Sequence, residues 1–216
     1  MHQLLDLPGN IFPHNRELQS SHAPPRVFQP GALTGPWARA YDRGVDSLLT
    51  TTLLRVTYME LLEAPPASSA SARRERIFRE QLNRETYLNL YRRVGEPHRW
   101  DQRVRMPEAE LAALLDGGSL DIHVLRSEER QALGFCEFDR REFPDVELKN
   151  FGLVPEAQGR GLGSWLLAVA LQEVWKNSPS RIWLHTDDWD HPAAVRVYER
   201  AGFRVFDVRD EPVDPG

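Results

Sequence analysis

The chain has 216 residues, of which 41 % are hydrophobic and 27 % charged, and its formal net charge is −5. That length suits one sizeable domain, the composition is that of a soluble globular protein, and the negative balance argues against nucleic acid or an anionic membrane as partner. The single cysteine, Cys136, excludes an intrachain disulfide and a cysteine-based zinc site, and its setting in GFCEF reads as buried filler.

The first residues, MHQLLDLPGN, show no basic segment followed by an apolar one. No window approaches the ~20 apolar residues of a membrane span, so the cytoplasm is the expected location. Residues 1–50 begin with a stretch rich in Pro, Gly, Ser and His and are expected to form an irregular N-terminal extension. The β-branched and aromatic run within TTLLRVTYMELLEA predicts a strand over 53–62, and PPASSASA a loop over 65–72. In the segment that follows, Ile77, Leu82, Leu88 and Tyr91 fall near helical spacing, which predicts one or two short helices. PEAELAALLDGG predicts a further helix, opened by Pro107, acidic in its first turn and closed by Gly117 and Gly118.

LDIHVLR (120–126) and ALGFCEFD (132–139) read as an antiparallel hairpin, with a third strand at 145–154 beside it. Gly159, Gly161 and Gly163 lead into a helix at 161–176, whose Leu166, Ala170 and Val174 repeat every four residues. RIWLHT (181–186) is a strand, HPAAVRVYERAGF a short helix ended by Gly202, and FRVFDV a last strand. Helices and strands alternate too closely for two domains. The expectation is one mixed α/β domain over 51–210, with 211–216 as a tail.

The glycine run suggests an anion cradle. Amides at a helix start are unpaired, and glycine lets a ligand approach the backbone itself. Arg160 would add charge at the rim. A P-loop is excluded because no lysine follows, and a dinucleotide fingerprint fails on spacing and on the preceding hairpin.

QGRGLG, with Gln158, Gly161 and Gly163 in place, resembles the acetyl-CoA pyrophosphate loop of the GCN5-related N-acetyltransferase (GNAT) superfamily. HPAAVRVYERAGF resembles that family's last motif through Ala194, Tyr198, Gly202 and Phe203, with His191 where the family often has asparagine. LYRRVGEPHRW, followed by Arg103, resembles a bacterial subgroup. The resemblance covers roughly 120–208. It implies the acyl-CoA N-acyltransferase fold: a mostly antiparallel twisted sheet, flanked by helices and splayed between its fourth and fifth strands.

The resemblance further implies an acetyl-CoA-dependent N-acetyltransferase acting by direct transfer. Cofactor contacts would come from Leu153, Val154, Gln158, Gly159, Arg160, Gly161, Leu162, Gly163, Ser164, His191, Ala194 and Tyr198. Tyr198 would protonate the departing thiolate, and Glu147, directly or through water, would deprotonate the amine. Asp145, Asp187, Asp188 and His185 stand as alternative bases. Simple alternation would put Glu147, Lys149, Phe151 and Leu153 on one face of their strand. Tyr91, Trp100, Trp183, His185 and Trp189 are expected to line the acceptor side, and no metal site is expected. A small-molecule amine is favoured over a protein lysine as acceptor, and a homodimer stays open. Two other readings also stay open: a silent acyl-CoA-binding or sensory module on the same fold, and a structural partner in a complex.

Overall fold

The computed structural model describes residues 53–66 and 73–213, all within the compact unit Thr51–Gly216. The expected extension at 1–50, most of the 65–72 loop and residues 214–216 lie outside the described residues.

Seven strands form one sheet: β1 (Leu53–Leu61), β2 (Arg76–Arg79), β3 (Leu120–Arg126), β4 (Ala132–Asp139), β5 (Asp145–Leu153), β6 (Arg181–Asp187) and β7 (Arg204–Pro212). Their spatial order is β2-β3-β4-β5-β6-β1-β7. Every neighbouring pair is antiparallel except β5 and β6, which are parallel. The helices are α1 (Arg84–Gly95), α2 (Gln102–Arg105), α3 (Glu108–Asp116), α4 (Leu162–Trp175) and α5 (Ala194–Arg200).

Two expectations about elements are corrected. Residues 76–79, read as helical, form β2 on the sheet edge, where Ile77 and Phe78 pair with Leu125 and Val124. Tertiary pairing of β-favouring side chains outweighs the helical spacing there. Glu80 fixes the edge with two 2.6 Å hydrogen bonds from Arg126. The helix starts only after Asn83, whose side chain accepts the Thr86 N–H at 2.9 Å. The last strand runs on to Pro212, into the expected tail, because β1 pairs with it as far as Leu53↔Pro212.

Alternation separates the two faces of the sheet. Glu137 and Cys136 are neighbours on β4 and project oppositely. Glu137 meets Tyr87 of α1, whereas Phe151, the cross-strand partner of Cys136, lies beside Gly163 of α4. The core fills both layers, with Met59, Val124, Phe138, Leu166, Ala170 and Ile182 wholly buried. As the four-residue repeat predicts, α4 buries Leu166, Ala170 and Val174.

Candidate active site

The site begins where the sheet comes apart. The parallel pairing of β5 with β6 covers only Asp145↔Arg181, Val146↔Ile182 and Glu147↔Trp183, although β5 continues to Leu153 and β6 to Asp187. Beyond Glu147 the strands diverge, so one edge of β5 is unpaired by β6. This is the expected splay between the fourth and fifth strands, with β2 adding one to the count.

A bulge resets β5 at the same place. Its register to β4 passes from Phe138↔Leu148 to Glu137↔Asn150, leaving Lys149 as the extra residue. Simple alternation therefore fails. Phe151 and Leu153 lie on the α4 side, where each would contact a Cβ built on Gly163 at 3.6 Å, while Gly152 faces Val94 and Trp100.

Beside the freed edge of β5 lies the glycine loop. Gly159 and Gly161 have φ of 72° and 69°, the left-handed region that side chains avoid, and a Cβ on either would meet nothing within 4 Å. Gly161 caps α4 without any side-chain hydrogen bond, so the first amides of the helix have no side-chain acceptor. Open space, positive φ and uncapped amides together fit a phosphate-bearing group.

A cavity of about 310 Å³ opens at this loop. Of the expected cofactor residues, Leu153, Gln158, Gly159, Gly161, Leu162, Gly163, Ser164, His191, Ala194 and Tyr198 line it. Val154 and Arg160 do not. Val154 is fully buried, with its N–H given to the Leu133 carbonyl at 3.0 Å, and Arg160 pairs with Glu75 at 2.6 Å. His191 Nδ1 accepts the Ala193 N–H at 3.1 Å, which leaves the proton of a neutral ring on Nε2.

A second cavity of about 490 Å³ adjoins the first. Tyr91, Trp100, His185 and Trp189 line it, as expected of an acceptor side; Trp183 does not. The two cavities share His98, Trp100, Phe151, Asp190 and Tyr198, and so meet at the splay. Tyr198 is only 7 % exposed, packs on Phe151 and Phe203, and makes no hydrogen bond through its hydroxyl to any described residue. Burial, helped by the nearby Asp190 charge, holds its phenol protonated well above the usual tyrosine range.

Glu147 borders neither cavity. It stands one layer behind, with Oε1 3.5 Å from His185 Nδ1 and 3.0 Å from Lys149 Nζ. Burial alone would raise its carboxyl, but His185 and Lys149 outweigh that and hold it below the usual carboxylate range. His185 connects it to the second cavity.

Of the residues that roof this cavity, sequence reasoning marked Trp100 but missed the parts played by His98 and by the Arg103–Glu137 pair. A strap runs from the 3-10 turn Glu96–His98 through α2. Trp100 sits so close to Gly95 that a Cβ there would lie 2.5 Å from Trp100 Cβ. Its indole N–H donates to Asp190 at 3.3 Å, and His98 Nδ1 lies 3.2 Å from the Trp189 carbonyl. Arg103 anchors the strap from beneath through a buried hydrogen bond to Glu137, which also accepts from Tyr87. The one local hint was a glutamate inside the apolar run GFCEF.

Among the described residues no group of three or more His, Cys, Asp or Glu is arranged to hold a metal ion, and no helix is long and apolar enough to cross a membrane. The chain is similar to several known proteins. A mycothiol acetyltransferase of Streptomyces griseus subsp. griseus is 31 % identical over 199 residues, which are 92 % of this chain and 53 % of that protein. The chain thus spans about half the length of this curated relative. In fold it is similar to a GCN5-related N-acetyltransferase from Sphaerobacter thermophilus (TM-score 0.53, 18 % identity, 76 % of this chain and 53 % of that one). A second similar structure is the GCN5-related N-acetyltransferase from Kribbella flavida (TM-score 0.51, 17 % identity, 75 % and 58 % covered). Residues 79–203 match the Acetyltransferase (GNAT) family, and with the splayed sheet and glycine-mouthed helix already in view, the chain belongs to that family.

Proposed function

We propose that the protein transfers an acetyl group from acetyl-CoA to the primary amine of a small molecule, both substrates being bound together. The observation that carries this reading is the meeting of the two cavities at Tyr198, a mostly buried side chain whose hydroxyl makes no hydrogen bond to any described residue. One cavity has the amides and open glycines suited to linked phosphates. The other has the polar lining suited to an amine.

The uncapped amides of Leu162, Gly163 and Ser164 would hold the pyrophosphate of the cofactor, and the edge of β5 released by β6 would pair with its pantetheine arm. When bound, acetyl-CoA supplies the thioester carbonyl that the amine attacks. His185, on the acceptor cavity and backed by Glu147, takes the proton that the amine must lose. Glu147 is thus the base at one remove, holding the imidazole in place. Tyr198 gives its phenolic proton to the departing thiolate. The strap and the Trp100 ring exclude water from the junction. The small-molecule assignment is supported by the roof over the acceptor cavity, and by a relative whose name is mycothiol acetyltransferase.

The test is thiol release from acetyl-CoA across a panel of primary amines, with acetyl-CoA affinity measured separately by calorimetry. Tyr198→Phe and Glu147→Gln are each expected to lower kcat roughly 100-fold or more at unchanged acetyl-CoA affinity. Absence of acetyl-CoA binding, or unchanged turnover in both variants, would overturn the reading.

A further inference from the structure

Three carboxylates on the acceptor cavity make no ion pair with a lysine or arginine among the described residues. Asp187, Asp190 and Glu211 all line it, and none lies within 4.0 Å of a lysine or arginine nitrogen among the described residues. The basic groups on the same cavity are otherwise engaged. Lys149 is held by Glu147 and Arg105 by Asp101, while Arg99 lies over the Trp189 ring at 4.9 Å. Glu211 accepts from Tyr58 at 2.6 Å and Asp187 from the Trp189 N–H at 2.8 Å. Burial, and then the charge of Asp190, raises the Asp187 carboxyl above its ordinary range, against the Trp189 and Asp190 amides and His185.

Asp190 is the carboxylate among them that borders both cavities. Its two oxygens are aimed by two donors, Thr186 Oγ1 at 2.7 Å and the Trp100 indole at 3.3 Å. Each oxygen keeps lone-pair capacity after that. The other polar group shared by both cavities that lacks a partner is the Tyr198 hydroxyl, on a side chain more than nine-tenths buried. A neutral donor and an aimed anion therefore flank the place where the cavities join.

We infer that Asp190 receives the attacking amine as its ammonium form and holds it at this junction, so that the acceptor is a cationic alkylamine with no anionic group beside the nitrogen. This rests on the acetyltransferase reading. The ammonium donates to Asp190 while its bound position brings it within reach of the proton-accepting group. A carboxylate next to the amine would face Asp187 and Asp190 and be repelled, which excludes α-amino acids by charge rather than by size.

The experiment compares two acceptors of one shape: the best straight-chain primary alkylamine from the panel, and the O-alkylhydroxylamine of the same length, whose nitrogen is uncharged at neutral pH. In Asp190→Asn, KM for the alkylamine should rise about 10- to 100-fold, the range of a lost charge-assisted hydrogen bond, and KM for the hydroxylamine by less than about twofold. Acetyl-CoA affinity, measured by calorimetry in the same variant, separates an effect on the cofactor cavity, which Asp190 also borders, from one on the amine. Thr186→Val leaves the charge in place but unties it, and serves should the asparagine variant not fold. It should give a smaller rise, again for the alkylamine alone. Equal effects on both acceptors, or none on either, overturn the inference while leaving the acetyltransferase reading intact. Loss of turnover by the wild-type protein with every amine overturns that reading, and this inference with it.

Discussion

Replacing Arg103 by methionine should destabilise the protein far more than its place on a four-residue helix suggests. Arg103 is 4 % exposed and its partner Glu137 is 0 % exposed, so the substitution removes the cation that Glu137 pairs with among the described residues, from a carboxylate that water does not reach. Tyr87 still donates to Glu137, which leaves one oxygen satisfied and the charge uncompensated. Breaking a buried pair in this way costs about 3–5 kcal/mol. At about 2–4 °C per kcal/mol for a domain of this size, Tm should fall by roughly 6–20 °C. Thermal and urea unfolding of Arg103→Met, Glu137→Gln and the double variant close a cycle. The double variant should recover at least ~2 kcal/mol of the arginine variant's loss, because a neutral amide beside Tyr87 needs no counter-charge. Strict additivity, or a loss below ~1 kcal/mol for Arg103→Met, would refute the claim that this pair is electrostatically coupled and dry.

Three further outcomes follow from local geometry. Gly161→Val, at a φ of 69°, should strain the start of α4 by about 1–2 kcal/mol and weaken acetyl-CoA binding more than tenfold by calorimetry. Gly95→Ala puts a Cβ 2.5 Å from Trp100 Cβ, so it should cost about 1–3 kcal/mol in urea unfolding and raise KM for the amine. His123 is buried against Phe138, and burial lowers its pKa below the ordinary 6.5. The unfolded chain therefore takes up this proton first, so stability should decline as pH falls below about 6.5, and His123→Gln should flatten that part of the urea-midpoint profile.

The cofactor half of the site was legible because its signals are local. Positive-φ glycines, an uncapped helix start and the spacing of Ala194, Tyr198, Gly202 and Phe203 all fall within short windows, and the structure brings ten of the twelve expected cofactor residues to one cavity. Val154 and Arg160 fell outside for non-local reasons. A neighbouring carbonyl takes the amide of one, and Glu75, distant in sequence, takes the guanidinium of the other. The acceptor half was only partly legible. Aromatic residues marked Tyr91, Trp100 and Trp189, but nothing near Lys149 announces a bulge, and the Arg103–Glu137 contact joins positions 34 apart. Strand β2 was misread because Ile77 and Leu82 satisfy a helical spacing as readily as an edge strand does.

That asymmetry has a topological cause. Among the described strands the sheet contains a single parallel pair, β5 and β6, and a parallel connection needs a crossover, here α4. A helix that follows a strand in such a unit begins at the strand's carboxyl end, so its free amides arise where β5 has parted from β6. Anion site and gap are thus two consequences of one connection, and a sequence that writes strand, glycines, helix, strand writes both. The acceptor side has no such generator. It depends on a strap from before β3, a carboxylate from after β6 and the far end of β7, each placed by tertiary contacts alone. On the proposed function, the choice of amine therefore rests with the part of the chain whose local pattern says least, while the half that would hold the cofactor is written in a short window.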